Sequence, residues 1–291
     1  MNKKYICIFI VTLFIGTTVI PVLGMVNKDN ENINLKGNVL NYPVEVPVWE
    51  IGDSWTYNEK YCTIWEGFSW YHNCTMVCTV TDTTGDSYTL EWVSENDEGS
   101  YTIDGFCRLK FTRSTKFFQE TQHRKTDLAH ERTFWQEKGL VFWLIGNLNI
   151  PIPAQFSDVF EETYTPADEV LPFPMTAGTT GTFPGYSYSG HDTSGIYWGI
   201  FKLIDSDYSG NVLARDYACE MASIMVPAGT YDAFNVSVEG NFYEDYYRTS
   251  WSYFVPELGY YAKAYSHIDY VPSGEYFHEY TGELVSTTYI S

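Results

Sequence analysis

The chain has 291 residues, with 37 acidic against 17 basic side chains and a formal net charge of -20. That balance repels phosphate backbones, so nucleic acid is excluded as an expected partner. Aromatic residues make up 18% of the chain and charged ones only 19%, which argues against disorder and suits strands with aromatic and β-branched faces.

The chain begins with a targeting pattern. Lys3 and Lys4 precede an apolar run from Ile6 to Ile20, and Val22-Leu23-Gly24 closes it with a small residue. Residues 1–24 read as a signal peptide, and export to the cell surface or beyond follows. The alternative is an uncleaved anchor, since Tyr5 to Gly24 is about long enough to span a bilayer. That segment would be the sole expected membrane contact. Residues 25–44, polar and Asn-rich, read as a flexible leader.

Residues 45–291 read as one β-rich domain. Trp55 and Tyr57 share a strand face after the Gly52-Asp53 turn. Cys74, Met76, Cys78 and Val80 alternate with polar neighbours, as do Tyr88, Leu90 and Trp92, and then Cys107, Leu109 and Phe111. Turn signals between them give a meander of hairpins. Arg124 to Gln136 fits helix or strand. Leu140 to Ile145 reads as a buried strand, Phe156 to Tyr164 as a short helix, and Gly185 to Gly195 as a Gly/Ser/Tyr loop. Around Pro227-Ala228-Gly229, Phe234, Val236 and Val238 face one way and Asn235 and Ser237 the other; Trp251, Tyr253 and Val255 follow on a partner strand. The expected class is all-β with minor α: a large curved antiparallel sheet, as a half-barrel or sandwich.

Beyond the signal, five cysteines remain, and export makes disulfides the default. Cys74, Cys78 and Cys107 share the inward phase, and Cys62 lies across the Gly67 turn from Cys74. The expected bridges are Cys62–Cys74 and Cys78–Cys107, with Cys62–Cys78 the nearest rival and Cys219 a buried thiol. Residues four apart on a strand lie about 13 Å apart, so Cys74 and Cys78 cannot bridge each other. Asn73 and Asn235 each open a glycosylation sequon.

Sites of chemistry are sparse. Asp205-Ser-Asp207-Tyr-Ser209-Gly210, with Asp216 in the twelfth position, fits a calcium loop. Against calcium, its flanks read as strands, and an Asp/Ser/Gly cluster between strands is usually a plain turn. Calcium is the one cofactor for which the sequence offers ligands. His123, His130 and Glu131, or His278 with Glu279, lack the spacing of a zinc helix and read as solvent-facing. Glu161-Glu162 and Glu244-Asp245 are adjacent, so on strands each pair splits between faces. No nucleophile elbow or phosphate loop is present, and the chain reads as non-enzymatic.

Three motifs carry a resemblance: Trp49-x-x-Gly52-Asp53-x-Trp55-x-Tyr57, Val226-Pro-Ala-Gly-Thr-Tyr-Asp-Ala-Phe234, and Trp251-x-Tyr253-x-x-Pro256-x-x-Gly259. Their order and spacing resemble a class of uncharacterised exported β-rich proteins, mostly archaeal. More distantly the class is similar to envelope proteins with the lipoprotein-carrier type of half-barrel. The resemblance implies an apolar groove on a curved sheet, lined here by Trp55, Tyr57, Leu90, Trp92, Leu109, Phe111, Phe234 and Val236. On that reading the protein holds a lipid or another apolar small molecule. The alternative is a cell-surface module that binds glycans or proteins through exposed aromatics.

Overall fold

The computed structural model describes residues 43–65, 68–103, 107–111, 116–145, 150–197, 201–243, 246–270 and 277–289. The expected signal peptide and nearly all of the leader lie outside them. Fifteen strands account for most of the described chain. The first seven are β1 (Ser54–Trp65), β2 (Phe68–Asp82), β3 (Ser87–Ile103), β4 (Cys107–Phe111), β5 (Lys116–Arg124), β6 (His130–Ile145) and β7 (Ile150–Asp168). Then come β8 (Thr179–Phe183), β9 (Tyr186–Tyr197), β10 (Phe201–Val212) and β11 (Arg215–Val226). The last four are β12 (Gly229–Tyr243), β13 (Tyr246–Val255), β14 (Tyr260–Tyr270) and β15 (Phe277–Thr287). Among the described residues there is no α-helix, and the 3-10 turn Pro256–Leu258 joins β13 to β14.

All fifteen strands belong to one antiparallel sheet, in the order β10-β9-β7-β6-β4-β3-β2-β1-β15-β14-β13-β12-β11-β8. Strand β5 continues the slot of β4: both lie between β3 and β6, β4 beside Ser100–Ile103 and β5 beside Ser87–Val93. The ladder has two edges, β10 and β8, which do not pair. The expected half-barrel or sandwich is therefore corrected to a single open sheet. Two-residue links, Pro184-Gly185 and Leu213-Ala214, carry the chain between the two ends of the strand order. At Gly185 an added Cβ would lie 2.6 Å from the Val212 carbonyl, so these links touch.

Alternation assigns the two faces. On β13 Tyr246, Arg248, Ser250, Ser252 and Phe254 are buried, and the residues between them are less so. The inner face carries one continuous core, including Trp55, Met76, Cys78, Leu90, Phe234 and Phe254. Burying a large apolar side chain of this kind contributes roughly 1.5–3 kcal/mol. Two irregular segments cross that face instead of a helical lid. Val44 and Met175 exchange backbone hydrogen bonds of 2.9 Å, tying the first segment to the second. Trp49 lies among Trp55, Tyr88 and Tyr260, with ring centroids 4.9–5.6 Å away, and Phe173 meets Phe254 edge-on at 5.4 Å. The expected short helix at 156–164 is the middle of β7, and the expected loop at 185–195 is mostly β9.

The disulfide expectation is also corrected. Cys62, Cys74, Cys78 and Cys219 carry thiols. Cys62 stands opposite Tyr71 and Cys74 opposite Glu59, so the two cysteines occupy opposite faces of the β1–β2 pair. The rival partner Cys78 shares the inner face with Cys74 and fails for the same reason. Cys78 is aligned with Trp92 of β3, whereas the Cys107 backbone pairs with Ile103, on the order of 35 Å further along that strand.

Candidate functional site

The three sequence motifs meet on the inner face, and their work there is structural. The Trp49 and Trp55 indoles donate to the carbonyls of Gly259 and Leu258 at 2.9 and 2.8 Å. The Tyr57 hydroxyl donates to the Tyr261 carbonyl at 2.7 Å. The first motif thus docks on the turn that the third motif makes. The Ala228 amide of the second donates to the Leu284 carbonyl at 3.2 Å, which ties the β11–β12 corner to β15.

The residues assigned to an apolar groove belong largely to this core. Trp55, Leu90 and Phe234 are 0% exposed, Val236 1% and Tyr57 4%. Trp92 is half-buried, and its indole donates to the Thr121 hydroxyl at 3.2 Å. The side chains of Leu109 and Phe111 lie outside the described residues.

The calcium expectation is corrected. Asp205, Asp207 and Ser209 are successive exposed residues of β10, a regular strand that cannot wrap an ion. The His191 imidazole sits between Asp207 at 2.8 Å and Asp205 at 3.2 Å, and its hydrogen bond to Asp207 raises its pKa. Asp216, on β11, accepts from Thr182 at 2.7 Å. Among the described residues no group of three or more His, Cys, Asp or Glu is placed to hold a metal ion. Of the sequon asparagines, Asn73 is exposed on β2, while Asn235 is half-buried between Glu220 and Tyr253 of the flanking strands.

Sequence reasoning missed how many ionisable groups face inward. His123, His130 and His278 were expected in solvent and are instead 2%, 7% and 4% exposed. Burial lowers His123 to about 4 and His278 to about 3. The His123 ring is satisfied by the Leu128 carbonyl at 3.2 Å and the Thr121 hydroxyl at 2.9 Å, and His278 by Thr63 at 2.7 Å. Glu59 receives the hydroxyls of Tyr61, at 2.7 Å, and Tyr280, and burial raises it to about 7. Asp158 and Asp192 share a hydrogen bond, and burial pushes both carboxyls upward. Glu161 and Glu162 do split between faces: Glu161 pairs with Arg132 at 2.9 Å, while Glu162 is 1% exposed. Apart from Glu161 and the half-buried Asp158, these groups are enclosed in the inner face.

An accessible concavity lies on the outer face, over β6 and β7. Its volume is about 770 Å³, and Lys138, Gly139, Leu140, Gln155, Phe156, Ser157 and Val159 line it. The register explains its shape. Leu140 stands opposite Gln155, Lys138 opposite Ser157, and Ser157 opposite Gly195 of β9. Ser157 and Gly195 are small, so the outer surface sinks between taller neighbours. Leu140 is 40% exposed and Phe142, the next outward residue of β6, 37% exposed. The run Leu140 to Ile145, expected to be buried, thus presents two of its large side chains to solvent. An apolar shelf with Lys138, Gln155 and Ser157 beside it can stack a flat apolar surface while donating hydrogen bonds.

Comparison with known proteins finds no matching family model, no matching curated protein and no matching solved structure.

Proposed function

We propose that the chain is an exported, non-catalytic surface module that binds a neutral glycan in the outer-face concavity of β6 and β7. The observation that carries this reading is the concavity itself. Its volume of about 770 Å³ lies in the range of small-molecule sites. Sugars present an apolar face edged by hydroxyls, which the Leu140 and Val159 side chains and the Lys138, Gln155 and Ser157 polar groups complement. The placement of the expected groove supports the same choice. Five of its residues are at most 4% exposed and are packed into the core, leaving a lipid chain little to line.

The test is a glycan-array screen of the purified protein, with calorimetry on any hit and a fluorescent fatty-acid titration alongside. Saturable glycan binding that drops at least tenfold in Leu140→Asp and in Val159→Arg is expected. Saturable fatty-acid binding without any glycan hit would overturn the proposal in favour of an apolar ligand.

A further inference from the structure

Lys138, in the wall of the outer-face concavity, has a second lysine beside it. The register of β5 and β6 sets Lys116 directly opposite Lys138, and both side chains are exposed. On the other flank of β6 Lys138 faces Ser157, so one rung runs from Lys116 through Lys138 into the concavity. Residues directly opposite on an antiparallel pair have Cβ atoms about 5 Å apart, and like charges there repel.

Neither lysine takes part in an ion pair with a described residue. The basic side chains that do pair lie elsewhere: Arg124 with Asp127, Arg215 with Asp168 and Lys263 with Glu283. On the same face Glu120 and Glu161 both go to Arg132, at 2.9 Å each. Glu95 of β3, one outward position past the last β3–β5 rung at Val93 and Phe118, is exposed and makes no ion pair with Lys116. A chain with 37 acidic and 17 basic residues thus sets two lysines side by side and pairs neither with a described carboxylate.

The repulsion is relieved when an anion lies between the two ammonium groups. Each ammonium has three donors, and two such groups converging match the oxygens of a carboxylate or sulfate. The overall negative charge of the chain does not forbid this, because exposed charges are largely screened beyond about 8 Å at physiological ionic strength. Close in, Glu95 sets one charge against the two of the pair. Lys116 lies one strand spacing, about 4.8 Å, beyond Lys138 on the side away from β7. A group held by both lysines therefore sits next to the space over Leu140 and Val159, and not in it. We propose that Lys116 and Lys138 form an acidic-sugar subsite, seating the carboxylate or sulfate of a unit that adjoins the neutral unit in the concavity. The subsite rests on the glycan reading and narrows it to chains that mix neutral and acidic units.

The full mature chain is tested on an array of uronate-bearing and sulfated oligosaccharides beside their uncharged parents, with calorimetry on the best-bound pair. The acidic member is expected to bind about tenfold tighter than its parent at low salt, the worth of one hydrogen bond to a charged group. That preference should shrink as sodium chloride is added. Lys116→Gln should remove it, whereas Lys60→Gln, at an exposed lysine of β1, should retain it. Preference for uronate or for sulfate identifies the anion, and either supports the subsite. Equal affinity for the acidic member and its parent, or a preference that survives Lys116→Gln, would overturn the subsite and leave the glycan reading standing. Binding of neither acidic nor uncharged members would overturn both.

Discussion

Glu59 shows how much one buried side chain can set the response of the protein to pH. Its carboxyl is 3% exposed and lies between the Tyr61 and Tyr280 hydroxyls, with a proton affinity raised from the ordinary 4.5 to about 7. The cause is burial, which the two phenol hydrogen bonds only partly offset. Between pH 4.5 and 7 the folded chain keeps a proton that the unfolded chain releases. Stability from this group is therefore complete below pH 4.5 and is lost as pH rises through 7. The span corresponds to about 3 kcal/mol. In Glu59→Gln that loss disappears. The variant should gain on the wild type by about 3 kcal/mol between pH 4 and pH 8, measured by urea unfolding at each pH. A gap that does not change with pH would show that Glu59 binds its proton equally well in the folded and the unfolded chain. His123 and His278 act in the opposite sense, losing stability below pH 6.5, but they are common to both proteins and cancel. At the same scale, Trp55 is wholly buried and its indole bonds to the Leu258 carbonyl. Trp55→Phe leaves that carbonyl without its donor and opens a cavity, so a loss of roughly 2–4 kcal/mol in denaturant unfolding is expected.

At the scale of elements, the most telling case is the stretch from 185 to 195. Glycine and serine suggested a loop, because glycine weakens a strand and has no side chain to pack. The structure supplies the missing side chains from next door. Tyr208 lies over Gly190, Tyr188 over Gly210 and Tyr217 over Gly181, each directly opposite on the neighbouring strand. An aromatic ring folded across a cross-strand glycine restores the packing surface that the glycine lacks. This pattern stabilises strands near both ends of the sheet. No window read along one strand reveals it, because the partner comes from another. The turns were more legible: Gly52-Asp53 and Pro227-Ala228-Gly229 depend on local backbone chemistry alone. The motif aromatics were legible as core, but not the fact that Trp49, Trp55 and Tyr57 bond to backbone some two hundred residues away. The outer-face concavity left no signal, since Leu140 and Phe142 look like any apolar run until the register shows which way they point. The glycine pairs make a prediction. A Cβ at position 190 would collide with both the Tyr208 hydroxyl and the Glu161 carbonyl, whereas one at Gly85 would meet nothing within 4 Å. Gly190→Ala should therefore cost at least about 2 kcal/mol and expose the β7–β9 amides to hydrogen exchange. Gly85→Ala, in a turn with φ of +62°, should cost only about 1 kcal/mol of backbone strain. Equal costs would mean that the Tyr208 ring swings aside freely.

For the whole molecule, the question is what replaces the disulfides that an exported chain would be expected to carry. A domain of this size buries enough apolar surface to stand without covalent staples, unlike a small secreted fold. One core cluster runs from Val44 to Leu284, so strands far apart in the sequence share a single packing unit. The thiols are placed as core residues. Cys78 and Cys219 are 0% exposed and Cys74 7%, while Cys62 is half-exposed on the outer side, against Tyr71. Burial raises Cys78 well above the ordinary thiol value and Cys219 to about 11. Cys62 is also raised, by partial burial and by the nearby Glu279 carboxylate. Thiolate is the reactive form, so all three are poor nucleophiles, and in the two buried ones the sulfur is also out of reach. Two results should follow. Adding reductant should leave the unfolding midpoint unchanged, because no bridge among these residues contributes to it. Thiol titration of the native protein at pH 8 should modify Cys62 slowly and leave Cys74, Cys78 and Cys219 untouched, whereas unfolding in guanidinium should release all four together. A drop in midpoint on reduction, or peptide mapping that finds any two of the four joined, would show that the sheet is built around a covalent link. Fast native labelling at Cys78 or Cys219 would instead mean that the crossing segments open readily and leave the inner face accessible.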